Sequence, residues 1–315
     1  MSDTIEQSVG VDISKDTLDV HLHPAGKARR FANTRRGRSG LIAWLAEFTI
    51  TRIVFEPTGP YHHGFERQLA EAGQPLAKVN PRQARRFAEA VGRHAKTDAV
   101  DAAMLARLAA LLEPPVRPAV SQALDDMKEL IVARRALVKD RVAALQRDGV
   151  HRSMLLKRQA AQRLAQIERQ IASIDAALRT MLAVDAALKA RFDILVSIPG
   201  VGETTALIML VEMPELGHLD QRGAASLAGL APIARDSGQH RGKRFIRGGR
   251  ASLRQALYMP ALVAVRFNSD LKAKYEALRI AGKPPKVALT AIMRKLVILA
   301  NALVRDARTW SPKPA

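Results

Sequence analysis

Cysteine is absent from the 315-residue sequence, and aromatic residues make up only 4% of it. The absence of cysteine excludes disulfides, thiolate zinc sites and cysteine nucleophiles. The longest apolar runs, at 204–213 and 257–265, are too short to cross a bilayer. The first residues, MSDTIEQ, have no basic region followed by an apolar stretch, so no secretory signal is expected. We therefore expect a soluble, cytoplasmic protein without a membrane partner.

Acidic residues are scarce relative to basic ones. Fifty Lys and Arg stand against 30 Asp and Glu, which gives a formal net charge of +20. A surface this positive attracts polyanions through phosphate contacts and counterion release, so DNA and RNA are the expected partner class. Passive nucleic-acid-binding proteins, such as ribosomal proteins, share this charge. Charge alone therefore identifies the partner and not the activity.

Residues 8–115 alternate between strand and helix patterns. The predicted strands are 8–14, 17–23, 27–33, 52–56 and 76–80. The predicted helices are 36–47, 61–72, 82–93 and 97–112. Hairpin strands followed by helix–strand units predict an α/β domain of the ribonuclease H kind over residues 1–115. The order of elements fits an actin-like domain equally well, but a second glycine-rich phosphate loop is missing.

The remainder of the chain is predicted to be helical. Residues 121–190 contain almost no Gly or Pro, and apolar residues recur there at alternating three- and four-residue spacings. These residues are Leu164, Ile167, Ile171, Ile174, Leu178 and Met181. The pattern predicts an antiparallel coiled-coil hairpin turning at Gly149, in a domain spanning 116–190; two ordinary packed helices are the alternative. Residues 191–315 predict a second all-α domain, with helices at 251–265 and 284–306, so the fold class is α/β plus all-α.

Four carboxylates fall where an α/β site is built. Asp12 lies near the end of the first strand, and Glu56 ends the later strand RIVFE. Asp98 and Asp101 lie three residues apart at the start of a helix, so they share one face. Clustered carboxylates repel one another unless cations neutralise them, and hard oxygen ligands select Mg²⁺ or Mn²⁺. Two such ions about 4 Å apart activate an attacking oxygen and stabilise the leaving one.

The same acids also have ordinary structural interpretations. Asp98 taken singly is typical of a helix N-cap or first turn, and Asp12 of a turn. Glu56 fits such an interpretation less well, because a strand-end glutamate after Ile-Val-Phe needs a partner. Asp16 and Asp19, close to Asp12, are expected on the solvent face of the hairpin.

Three segments carry a resemblance to a known family: VGVDISKDTLDV (9–20), FEPTGPY (55–61) and KTDAVDAAMLA (96–106). In this order they resemble the signature blocks of the DEDD insertion-sequence transposases, the group that includes the Piv DNA invertase. The acids of that family fall on Asp12, Glu56, Asp98 and Asp101. The resemblance implies an N-terminal domain like the RuvC Holliday-junction resolvase, with Mg²⁺-dependent strand chemistry at these four residues.

A further block, at 227–261, resembles the C-terminal transposase domain of the same family. It places the family's serine on Ser237, which the resemblance implies is the nucleophile that becomes covalently attached to a DNA phosphate. Without the resemblance, Ser237 is typical of a turn. Six cations interleaved with glycines follow, and arginine forks suit phosphates. The residues expected to bind nucleic acid, rather than to form a solvated charged loop, are Arg241, Lys243, Arg244, Arg247, Arg250 and Arg254.

The segment SIPGVGETT (197–205) looks like the turn of a helix-hairpin-helix element. In such an element Gly200 and Gly202 would present backbone N–H groups to a phosphate at a helix N-terminus. A plain turn between two helices is the alternative.

The resemblance to this family implies a transposase or site-specific recombinase that cuts and rejoins DNA through Mg²⁺ and a covalent serine. The resemblance further implies a noncoding guide RNA, called a bridge RNA, and a dimer or tetramer in the synaptic complex. The principal alternative is a RuvC-like junction-resolving endonuclease that needs the carboxylates and not Ser237. A non-enzymatic nucleic-acid scaffold would need neither.

Overall fold

The computed structural model describes residues 5–57, 59–92, 98–116 and 121–312, except for the side chains of Asp98, Ala99 and His240. The chain divides into two compact units, Met1–Ala119 and Val120–Ala315. The junction lies close to the predicted break at 115. The helical hairpin and the C-terminal helices belong to the same unit, and the predicted boundary at 190 between them stays a prediction.

The first unit is built on a five-stranded mixed sheet with the strand order β3-β2-β1-β4-β5. Its strands are β1 (Gln7–Ile13), β2 (Thr17–His23), β3 (Ala28–Ala32), β4 (Ile50–Phe55) and β5 (Leu76–Lys78). Its helices are α1 (Arg35–Leu45), α2 (His62–Glu71), α3 (Pro81–Ala90) and α4 (Asp98–Leu112). The first three strands form antiparallel hairpins, and β1, β4 and β5 run parallel. The predicted strands and helices of this region are confirmed, and the topology is consistent with a RuvC-like domain.

The two faces of this sheet are covered by different helices. Successive strand residues point to opposite faces. On one face, Val9 and Val11 pack with Phe55 and with α1 and α2 residues in one core cluster. On the other face, Val54 packs with Leu105 of α4 and with α3. Both faces are therefore buried, which a period-two pattern by itself does not indicate.

Gly10 lets α4 lie directly on β1. A Cβ atom at this position would be 2.1 Å from the Ala102 carbonyl oxygen and 2.3 Å from the Ala106 nitrogen. These neighbours are backbone atoms of a helix and cannot yield as a flexible side chain does. The backbone of α4 therefore approaches β1 as closely as only glycine permits.

We expect Gly10→Ala to lower the free energy of unfolding by about 1–3 kcal/mol, because the new methyl group forces α4 away from the sheet. Chemical denaturation measures this change. Gly40→Ala in α1 is the matched control, since its Cβ would meet only Phe31 at 3.9 Å. Helix propensity makes that substitution neutral or stabilising. Equal stability of the two variants would contradict the close packing of α4.

The second unit is helical apart from a small β-ribbon. Its elements before the ribbon are α5 (Gln122–Asp148), α6 (Met154–Val184), α7 (Ala186–Val196), α8 (Glu203–Glu212) and α9 (Gln221–Leu227). The ribbon strands are β6 (Pro232–Ile233), β7 (Asp236–Ser237), β8 (His240–Arg241) and β9 (Phe245–Ile246). The helices that follow are α10 (Ala251–Ala256), α11 (Tyr258–Phe267), α12 (Ser269–Ile280) and α13 (Pro285–Arg305). The predicted helix at 251–265 is thus divided between α10 and α11.

Helices α5 and α6 pack against each other as an antiparallel pair that reverses just after Gly149. Apolar residues along the pair, including Ala144, Ile167 and Ile171, form a cluster of their own. The Arg134 guanidinium donates to both carboxylate oxygens of Asp175, at 2.6 and 3.1 Å. The predicted turn position at Gly149 is confirmed.

Helix α13 is the central helix of the second unit. Among the described residues it is the one helix with the length and apolar content to cross a membrane, yet half of its apolar window is buried inside the protein. It contacts α7, α9, α11 and α12. Its apolar character is therefore explained by its place in the core, where Ile292, Leu296 and Val297 are buried.

Candidate functional site

Asp12 and Glu56 lie at the same edge of the sheet. In the parallel pair β1–β4, Val11 is aligned with Phe55, so Asp12 and Glu56 are the next residues on adjacent strands. Both side chains are half-buried. The carboxyl ends of parallel strands share one edge, which is where α/β proteins place their ligands. The structure thus brings together two acids that are 44 positions apart in the sequence.

The N-terminal turn of α4 lies over this edge. Arg52 on β4, the partner of Ser8 on β1, donates from Nη1 to the Ala109 carbonyl at 3.5 Å. Further along β1, Gly10 lies against Ala102 and Ala106. Helix α4 therefore runs antiparallel to β1, and its first turn, from Asp98 to Asp101, reaches the Asp12 end of the strand. Asp101 is half-buried there.

Two of the three described acids, Asp12 and Glu56, lie on the side of the sheet that α4 covers. Asp12 projects from the same side of β1 as Gly10, and Glu56 continues the side of β4 that carries Val54. Among the side chains the structure describes, no three His, Asp or Glu are close enough to hold a metal ion. The Asp98 side chain lies outside that set. The residue types at this edge, carboxylates at the ends of β1 and β4 and in the first turn of α4, are the oxygen ligands that Mg²⁺ and Mn²⁺ prefer.

Asp19 does not face solvent as the sequence predicts. It is 8% exposed and accepts a hydrogen bond from Arg30 Nε at 2.9 Å. In the β1–β2 pair it lies directly opposite Asp12. Like charges at opposed positions destabilise a strand pair, and the Arg30 guanidinium offsets the charge of Asp19. The prediction is wrong because α4 covers this face, and pairing with Arg30 on β3 becomes apparent only from strand register.

His21 occupies the next position on the same face of β2, opposite Gly10. Burial lowers the pKa of the His21 imidazole below its ordinary value, and the neighbouring His23 lowers it further. The ring is therefore held neutral near physiological pH, so it adds no positive charge beside the carboxylate edge.

Ser237 lies near the tip of the β-ribbon. Strands β7 and β8 pair Ser237 with His240, so Gly238 and Gln239 form the turn. Gly238 has a φ of +55°, a conformation that favours glycine. The Ser237 side chain is exposed, and the neighbouring Asp236 accepts from Arg244 Nη1 at 2.7 Å. The paired segments of this ribbon are only two residues long, so no periodic pattern in the sequence predicts them.

The six cations after Ser237 divide into two groups. Arg250 donates to both oxygens of Glu215 at 2.7 Å and to the Glu212 carbonyl at 2.6 Å. Arg254 donates to the Gly248 carbonyl at 2.8 Å. These contacts tie the base of the ribbon to the helices, which gives both arginines a structural role. The exposed cations of the ribbon are Arg241, Lys243, Arg244 and Arg247.

Close backbone packing explains two glycines of these segments, Gly249 and Gly200. Gly249 crosses Gly229, where a Cβ would be 2.1 Å from the Gly229 nitrogen. Gly200, with φ of +98°, lies against α11, where a Cβ would be 2.7 Å from the Pro260 carbonyl oxygen. Gly202 precedes α8 and has open space around its Cβ position. The contact with α11 therefore requires glycine at position 200, and the phosphate contacts expected of Gly200 and Gly202 stay predictions.

Two transposase family models match the chain. A DEDD transposase model matches residues 9–149, which include the four carboxylates. A model described as transposase IS116/IS110/IS902 family matches residues 192–276, which include Ser237 and the β-ribbon. Together the two matches leave out little besides α6, the termini and α13.

Curated relatives agree with these matches. A pilin gene-inverting protein from Moraxella bovis is 26% identical over 97% of this chain and 98% of its own length. An insertion element IS900 protein of Mycobacterium paratuberculosis is 31% identical over 57% of this chain and 47% of its own length. An insertion element IS110 protein of Streptomyces coelicolor is 32% identical over 36% of this chain and 28% of its own length.

Proposed function

This chain belongs to the IS116/IS110/IS902 family of transposases, and we propose that it cuts and rejoins DNA through a divalent-metal site and a covalent bond at Ser237. It is a DNA transposase/recombinase. The observation that supports the proposed metal site best is the convergence of Asp12, Glu56 and the first turn of α4 on one sheet edge.

In this proposal the carboxylates hold the metal and orient the reacting phosphate. Asp12, Glu56, Asp98 and Asp101 would supply oxygen ligands for Mg²⁺, with Mn²⁺ as a substitute. When bound, such ions lower the energy of the charge that develops on the attacking and leaving oxygens. Gly10 contributes by allowing α4 to lie close enough for its acids to reach Asp12.

Ser237 would carry the covalent step. Its Oγ bonds to a DNA phosphorus, the bond from that phosphorus to the sugar oxygen breaks, and the serine proton ends on the released sugar hydroxyl. Attack by a second sugar hydroxyl then reverses these changes and frees the serine. The phosphodiester energy is conserved throughout, so rejoining needs no external energy source. The exposed position of Ser237 at a ribbon tip supports this role, because a DNA backbone has access to it.

A junction-resolving endonuclease is the second candidate. The observation that favours it is that Asp12, Glu56 and Asp101 all belong to the first unit, so hydrolysis at that edge needs no residue of the second. Such an enzyme would cleave strands without forming a bond to Ser237. The two candidates therefore differ in the presence of a covalent protein–DNA adduct.

The test is strand transfer by the purified protein on a plasmid carrying the DNA that flanks its gene, with Mg²⁺ and RNA transcribed from that DNA. We expect rejoined products and a detergent-stable protein–DNA adduct, both lost when the metal is chelated. Cleaved products that are not rejoined, formed without an adduct, would support the endonuclease. Unchanged activity without RNA would contradict a guide-RNA requirement.

Assembly is proposed through the α5–α6 hairpin acting as a coiled coil. Synapsis of two DNA segments requires at least a dimer, and a tetramer is proposed for the synaptic complex. At the turn of the hairpin Val150 is 76% exposed, Met154 77% and Leu155 63%. Apolar residues grouped at a surface commonly mark a protein contact.

The net charge of +20 supports DNA and a guide RNA as cytoplasmic partners.

The exposed ribbon cations provide a prediction. Lys243→Gln and Arg247→Gln should each weaken DNA binding and make the slope of log K against log salt less steep by about one, because each removes one phosphate contact. Anisotropy titrations at several salt concentrations measure the slope.

Two controls separate binding from stability. Arg67→Gln removes an exposed cation of α2 and should leave the slope unchanged. Arg250→Gln breaks the hydrogen bonds to Glu215. It should lower the melting temperature of the protein and change the salt slope less than Lys243→Gln does. Slopes that respond equally to all four substitutions would argue against a phosphate-binding ribbon.

A further inference from the structure

A cleft lies within the second unit between α11, α12 and α13 and uses none of the residues assigned above. Its volume is about 400 Å³, within the range of roughly 300–1,000 Å³ typical of small-ligand sites. Leu262 and Leu289 contribute apolar surface, and Tyr258 and Tyr275 contribute aromatic rings. The cleft is thus large enough for a planar ring and offers surfaces that such a ring packs against.

The aromatic residues of the cleft are unusual for this chain. The sequence contains three tyrosines in 315 residues, and two of them line this one cleft. Tyr258 is 43% exposed, so its ring is available to a ligand. Tyr275 is half-buried and packs against the core of the unit, which holds its ring in place. Nucleobases stack on aromatic faces of this kind regardless of sequence.

The charged residues around the cleft favour binding of an anionic ligand. Arg266 and Lys286 line it, against one acid, Glu276. Over residues 258–289 there are six cations and two acids. The cations are Arg266, Lys272, Lys274, Arg279, Lys283 and Lys286, and the acids are Asp270 and Glu276. A local excess of positive charge beside an aromatic cleft matches a base with its phosphate better than it matches an apolar peptide.

We propose that this cleft binds one unpaired nucleotide of a single strand. Its base lies against Tyr258 and Tyr275, and its phosphate is contacted by Arg266 and Lys286. A base within a duplex is stacked on both faces and paired along one edge, so it does not reach such a cleft, and the site discriminates single strands from duplexes. The proposal rests on the chain acting on nucleic acid, and it is independent of Ser237 and of the carboxylates.

The test measures binding of the full chain to fluorescein-labelled dT12, rU12 and a 12-base-pair DNA duplex by anisotropy. Tyr258→Ala should weaken single-strand binding about fivefold or more, from the loss of one stacking contact. Duplex binding should change less than about twofold, and Tyr258→Phe should retain single-strand affinity because the ring remains. The larger loss, on dT12 or on rU12, identifies whether the nucleotide comes from DNA or RNA.

Met259→Ala is the matched control, because Met259 is 62% exposed beside Tyr258 and does not line the cleft. An equal loss with Met259→Ala, or an equal loss on the duplex, would overturn the proposal. If the wild-type chain binds the duplex and not the single strands, the cleft proposal is wrong, while the proposed action on DNA is unaffected. If it binds none of the three probes, the cleft proposal and the proposed action on nucleic acid are both contradicted.

Photo-cross-linking of the unaltered protein provides a measurement that no folding defect affects. A 4-thiothymidine or 4-thiouridine oligonucleotide should cross-link to peptides within residues 258–289. Cross-links confined to other segments would exclude the cleft.

Discussion

Replacing Asp101 with asparagine is expected to reduce Mg²⁺-dependent strand cleavage roughly a hundredfold or more. Asparagine keeps the size of the side chain and removes its negative charge, so it weakens the hold on a hard divalent cation. Asp101 lies in the first turn of α4, over the edge that carries Asp12 and Glu56. Cleavage rates under single-turnover conditions and Mn²⁺ binding by calorimetry should fall together.

Stability separates a metal ligand from an ordinary first-turn acid. A ligand in a cluster of like charges destabilises the metal-free fold, so Asp101→Asn should leave the melting temperature unchanged or raise it. If Asp101 served only to interact favourably with the helix dipole, Asp101→Asn would show the reverse. The variant would then have a lower melting temperature and cleave DNA normally. Asp16→Asn is the control, because Asp16 is exposed near Asp12 in the sequence. Normal Mn²⁺ affinity in the Asp101 variant would rule out the ligand role.

Ser237→Ala is expected to abolish the detergent-stable protein–DNA adduct and to reduce strand joining to background. The substitution removes the one oxygen that would bond to phosphorus and leaves the ribbon intact, since Ser237 is exposed and the adjoining turn depends on Gly238. DNA affinity should stay within about twofold of wild type, because the ribbon cations remain. Gel analysis of adducts and joined products measures both effects.

The control for the serine is Ser153→Ala, an exposed serine before α6 whose side chain makes no capping hydrogen bond. It should form the adduct at the normal rate. Rejoined products from the Ser237 variant would refute the serine mechanism. Cleaved but unjoined products together with a missing adduct in the wild type would support the endonuclease instead.

Much of the first unit follows from local sequence patterns. Short β-rich runs that end at an acid or a proline, such as 52–56 and 76–80, match β4 and β5 within about two residues. Their period and their breakers act locally, so no tertiary information is needed. Gly149 likewise ends α5 at the predicted turn. The β-ribbon escaped prediction because two-residue strands have no detectable period.

The roles of individual charged residues depended on partners that are distant in sequence. Arg250 and Arg247 look alike in a basic segment, yet only Arg250 is paired with Glu215, 35 positions earlier. The sequence places Asp19 on the solvent face, but α4 covers that face and Arg30 on β3 pairs with the carboxylate. No local rule distinguishes these cases, because the deciding contact is made by a different element.

The sequence by itself determined the basic charge, the order of the strands and helices, and the acids that end two of the strands. Local propensity, periodicity and composition suffice for these features. Only the tertiary structure decided that Asp12, Glu56 and the first turn of α4 share an edge. That arrangement depends on parallel pairing of β1 with β4 and on Gly10 allowing α4 against the sheet. It likewise placed two of three tyrosines in one cleft, since packing of α11, α12 and α13 brings together residues that no periodicity links.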